Sequence, residues 1–135
     1  SYNLLIAARI IGHRFLLCGA RSSVTTNAHI RRLERELMGR KAEIAYVNVL
    51  DPLDVGRECE LAATEIRKLA EKVTRCRSER SVNELFRKVL QAVNSMTLLT
   101  KWFPEHSKHL STVLDARDEF YDAEDFRGFV RGDYV

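Results

Sequence analysis

The strongest constraint on the fold lies between residues 55 and 76. Val55, Cys59, Ala62, Ile66, Leu69, Val73 and Cys76 recur in alternating steps of four and three. That spacing keeps all of them on one stripe of an α-helix. So long an apolar stripe has to be covered, either by other helices of the chain or by a second chain. The segment therefore reads as the central helix of the fold. Its 55–76 seam is also a candidate surface for homo- or hetero-oligomerisation.

The flanking segments extend the helical pattern. Leu4, Ala8, Ile11, Phe15 and Cys18 share a helical face over about residues 3–19, with Gly19 placed to end it. The polar stretch 21–27 is a loop, and Thr26 or Asn27 caps a second helix. That helix carries Ile30, Leu33, Leu37, Ile44 and Val47 and is expected to kink at Gly39. Residues 44–50 also fit a strand, but a single strand without a partner is the poorer account. Asp51-Pro52 restarts a helix, Asp as cap and Pro at the first helical position. Ser81-Val82-Asn83-Glu84 has the form of a capping box. It opens a helix striped by Val82, Phe86, Val89, Val93, Met96 and Phe103, with Trp102-Phe103 as a core contact at the bundle end. Pro104 separates that helix from a fifth over about 105–126, and Gly128 and Gly132 mark a tail. The expected fold is all-α: an up-and-down bundle of four or five helices, one domain over 1–126, with a short tail over 127–135.

Composition narrows the function. A chain of 135 residues, 45% apolar and 30% charged, supports one core. No run of ~18 uncharged apolar residues is present, so no transmembrane segment is expected. Three cysteines without a CxxC exclude a complete disulfide framework and give no zinc signature, which fits a reducing, cytoplasmic setting. The first 33 residues hold five arginines and no acid, which makes a mitochondrial transit segment the alternative. There is no glycine-rich phosphate loop, no HExxH and no GxSxG, so the chain reads as non-enzymatic, with no cofactor and no metal. His106 and His109 beside Glu105 come nearest to a metal pair and read as solvated histidines near a helix start; His13 and His29 stand alone.

Two stretches suggest binding. Arg31, Arg32, Arg35, Arg40 and Lys41 lie within three helical turns and could meet the phosphates of anionic lipid or nucleic acid. Glu34, Glu36 and Glu43 intersperse them, and a net charge of +3 is weak for nucleic acid. The second stretch is Glu119-Phe120-Tyr121-Asp122-Ala123-Glu124-Asp125. Two adjacent aromatics between acids form a peptide-ligand pattern: the rings anchor and the carboxylates steer toward a basic groove.

Glu119, Phe120, Tyr121, Asp122 and Ala123 resemble the first five positions of the FFAT motif of lipid-transfer and contact-site proteins, with Asp125 where the motif has Glu. The resemblance implies binding to the major-sperm-protein domain of VAP proteins at endoplasmic reticulum contact sites, with Phe120 and Ala123 filling apolar pockets. Residues 121–126 also resemble the acidic motif in the coiled-coil domain of plant immune receptors, which implies that the acids pair with the rest of such a receptor. A terminal Gly132-Asp133-Tyr134-Val135 could add a strand to a PDZ domain. The expected function is a non-enzymatic adaptor or tethering module that binds protein partners. The alternative is a helical domain holding anionic lipid or nucleic-acid phosphates on its basic face.

Overall fold

In the computed structural model the described residues are 7–19 and 24–130. The chain is not all-α. It opens with a β-hairpin, Ala7–Ile11 (β1) and Arg14–Cys18 (β2), where a helix is expected over 3–19. Gly12 turns the chain with a φ of 54°, in the left-handed region. Glycine there, followed by His13, makes the two-residue loop that pairs Ile11 with Arg14. The apolar spacing misleads because Arg14-Phe15-Leu16-Leu17-Cys18 is covered on both faces, so the strand lacks the alternation of a half-solvated one.

Val24–Gly39 (α1) follows, starting before the expected caps at Thr26 or Asn27. It ends where a kink is expected. The Ala42 N–H donates to Leu37 O and the Lys41 N–H to Met38 O, each at 3.0 Å, which closes the helix with a left-handed residue, Lys41 at φ 56°. The chain then enters Glu43–Val47 (β3). This strand does have a partner: it runs parallel to β2, with Phe15 opposite Ile44 and Leu17 opposite Tyr46. The sheet order is β1-β2-β3.

The two faces of the sheet are covered differently. Leu16, Ala45 and Val47 join the main core with the later helices. Leu17 and Tyr46 lie on the opposite face, and there the Tyr46 hydroxyl donates to Glu34 of α1. So α1 covers one face and the helical layer the other.

That layer holds Val55–Val73 (α2), Glu79–Trp102 (α3) and Leu110–Val130 (α4), with a 3-10 helix at Pro104–His109 before α4. Asp54, not Asp51, caps α2, accepting from the Arg57 N–H at 3.0 Å; Pro52 sits in the loop after a cis peptide bond. Ser78, not Ser81, caps α3, accepting from the Ser81 N–H at 3.2 Å. The expected seam on α2 is real, but this same chain fills it. Val55, Cys59, Ile66, Leu69 and Val73 are buried against α3 and α4, which removes the seam as an oligomerisation surface. Cys76 lies beyond the helix end.

Residues 127–130 continue α4 instead of starting a tail. Arg127 is buried, donates from Nε to Cys76 O at 2.9 Å and sits 3.8 Å from Glu79. The terminal 131–135 segment lies outside the described residues. The result is an α+β domain of three layers: α1, a three-stranded mixed sheet, and a helical layer. Among the described residues no helix is long and apolar enough to cross a membrane.

Candidate functional site

Both parallel strands end at one side of the sheet, and there the chain diverges. From β2 it passes to α1 on one face; from β3 it passes to α2 on the other. Adjacent strands whose connections leave in opposite directions open a crevice at their carboxyl ends, the usual ligand position in such sheets. A cleft of about 730 Å³ lies there, with Gly19 and residues 46–48 at its floor and α2 and α3 as its walls.

The polar groups of the floor find their partners within the fold. Glu58 projects from the buried side of α2, only 2% exposed. Its carboxylate accepts the Asn48 N–H at 2.7 Å, the Asn48 side-chain amide at 3.1 Å and the Val49 N–H at 3.2 Å. Ser95 of α3, also buried, accepts the Tyr46 N–H at 3.0 Å, covering the open side of β3. Cys18 donates its thiol to Asn48 O at 3.4 Å. Burial, then the hydrogen bond to Glu34, pushes the Tyr46 hydroxyl upward, so it stays a donor. Burial, then the charge of Glu58, pushes the Cys59 thiol up to about 11, which leaves it inert.

A second, more open groove of about 420 Å³ lies beside the cleft, between the end of α1, β3 and α3. Met38 and Leu90 line it and are 59% and 47% exposed, which puts two large apolar side chains on one depression. Ile44 and Ala42 add apolar surface, and among the described residues Arg87 is the one charged residue of the lining and no carboxylate lines it. Tyr46, Gln91 and Ser95 belong to both depressions and form the wall between them.

The acidic-aromatic segment is elsewhere, folded within α4. Phe120 is fully buried, its ring edge-on to Phe86 of α3 at 5.1 Å. Tyr121 stacks on the same Phe86 ring at 6.0 Å and lies under Arg117. Glu119 pairs with Arg67 of α2. Ala123 is half-buried, and only Asp122 and Asp125 point freely outward. An extended ligand at 119–125 would have to unwind α4 and withdraw Phe120 from the core. Helical spacing from Val113 through Ala116 to Phe120 outweighs the local motif pattern.

The basic residues stand on the outer layer. Arg31, Arg32 and Arg35 are exposed on α1, with no ion pair among the described residues. Arg40 pairs with Glu36 at 2.9 Å, and Lys41 occupies the helix-ending turn. Trp102 is buried, with the Arg14 guanidinium 6.0 Å over its ring. His106 and His109 stack at 6.0 Å, and among the described residues no group of three His, Cys, Asp or Glu side chains is placed to hold a metal ion.

The sequence offered a partial signal for this region. Glu58 falls beside Cys59 on the apolar stripe of α2, a charge where the pattern wants none. Met38 and Leu90 carried none, since each looks like an ordinary helical apolar residue until its neighbours are placed. In comparisons with known proteins the chain matches no family model, no curated protein and no solved structure.

Proposed function

We propose that the chain is a non-enzymatic adaptor module and that its partner contact is the groove between α1, β3 and α3. The observation that carries this reading is the exposed pair Met38 and Leu90 facing one open depression. Large apolar side chains at the centre of a contact dominate its affinity, and an open groove suits a protein segment better than an enclosed substrate. Arg87, which has no ion pair among the described residues, and a lining with no carboxylate among those residues favour a partner segment with a bulky apolar anchor and acidic flanks. The double change Met38→Asp and Leu90→Asp is expected to abolish co-purification of the partner while leaving circular dichroism unchanged. Phe126→Asp, at an equally exposed aromatic on α4, should retain it. Co-purification that survives the double change and is lost on Phe126→Asp would place the contact on α4.

A second reading rests on Arg31, Arg32 and Arg35, three exposed cations on one helix without ion pairs among the described residues. They suit the phosphates of an anionic lipid surface. Binding to phosphatidylserine vesicles that weakens steeply with salt and vanishes on changing all three to Glu would select this reading over the groove.

A further inference from the structure

We propose that the cleft at the carboxyl ends of β2 and β3 is a binding site for a small organic phosphate, gripped between Lys68 of α2 and Lys88 of α3. Four observations converge on it, none shared with the groove reading beyond a common wall.

The first is position. The cleft lies at the switch point where β2 leads to one face of the sheet and β3 to the other, with Gly19 and Asn48 both at its floor. The second is that the floor is already complete. Glu58 is committed to Asn48 and Val49, and Ser95 to Tyr46, so the cleft's shape is held without a ligand and its backbone needs nothing from one. A preformed site loses less on binding than one that must be ordered.

The third is a pair of lysines without ion-pair partners. Lys68 and Lys88 stand on opposite walls, both exposed, and neither has a carboxylate within 4 Å among the described residues. Other surface cations of these helices are of both kinds: Arg57 pairs with Glu60, Arg67 with Glu119 and Arg80 with Glu84, whereas Lys72, Arg87 and Lys101 have no ion pair among the described residues. Two ammonium groups lining one cleft from separate helices match a doubly charged anion, which each would contact as a point charge. The fourth is the apolar ledge of Leu61, Ala62, Ala92 and Met96 on the same walls. Together with a volume of about 730 Å³ it suits a ligand with an apolar body beside its phosphate, not a bare ion.

Glu65 also lines the cleft without an ion pair among the described residues. It opposes an anion and sets the level of affinity without defining the site.

The test is calorimetric titration of the full chain with phenyl phosphate and, separately, with inorganic phosphate. Phenyl phosphate is expected to bind saturably and more tightly than inorganic phosphate. Lys68→Ala and Lys88→Ala, each at an exposed position, should weaken it roughly tenfold apiece. Glu65→Gln should tighten it, and changing Arg31, Arg32 and Arg35 to Ala should leave it unchanged. Absence of saturable binding, equal affinity for the two probes, or binding that depends on the α1 arginines and not on the two lysines would each overturn the proposal.

Discussion

The helical layer and the sheet layer are stabilised by different means. In the helical layer the joints are apolar and continuous. Ile66, Leu69, Leu99, Val113 and Phe120 are all buried to 1% exposure or less, and Phe86 and Phe120 meet edge to face. In the sheet layer three strands of five residues each rely on polar groups lent by the helices. Glu58 of α2 takes the amides that follow β3, and Ser95 of α3 takes an amide on its open side. The sheet depends on the helices for these hydrogen bonds and in return adds Leu16, Ala45 and Val47 to the helices' core. Both candidate binding depressions lie along this joint, where the two kinds of stabilisation meet.

The apolar layer should respond most strongly to substitution. Phe120→Ala should cost about 3–5 kcal/mol, because it empties the core at a fully buried ring. Thermal or urea melting should show both layers failing together. Melting that is unchanged, with circular dichroism intact, would show that Phe120 is not the core anchor that its burial implies. At the polar end, Glu58→Ala should cost about 1–3 kcal/mol, since it strips the part-buried Asn48 and Val49 amides of their acceptor. Its signature is uneven: amide exchange should accelerate in β2 and β3 while α2 and α4 stay protected. Uniform loss of protection would mean that the sheet is not the dependent partner. The smallest change runs in the stabilising direction. Lys41 adopts a left-handed φ of 56°, so Lys41→Gly should raise stability by about 1 kcal/mol, measured as a higher urea midpoint at unchanged slope.

The same contrast explains what could be read from the chain alone. The stripe from Val55 to Val73 was legible because helical periodicity is local: each apolar residue is specified by neighbours three and four positions away. The boundaries drifted by a few residues where two adjacent groups compete as caps, as with Asp51 and Asp54 or Ser78 and Ser81. The sheet was not legible, because its evidence is non-local. Ile44 to Val47 makes sense as a strand only once Arg14 to Cys18 lies beside it, and that run, covered on both faces, carries no period of its own. Gly12-His13 between two apolar runs was the available hairpin signal. At the candidate sites the arginines of α1 were visible as exposed charge. The pairing of Met38 with Leu90 and of Lys68 with Lys88 depends on which helices become neighbours.

Arg127 carries a consequence for the order in which the molecule is made. Its guanidinium reaches back to the carbonyl of Cys76, 51 positions earlier, at the junction between α2 and α3. During synthesis that junction leaves the ribosome long before its clasp does. Until the last turns of α4 emerge, the groove on α2 that Val113, Ala116 and Phe120 will fill faces water. The nascent chain therefore exposes, until α4 has emerged, the apolar face of α2 that α4 will cover, a surface that a holding chaperone would shield.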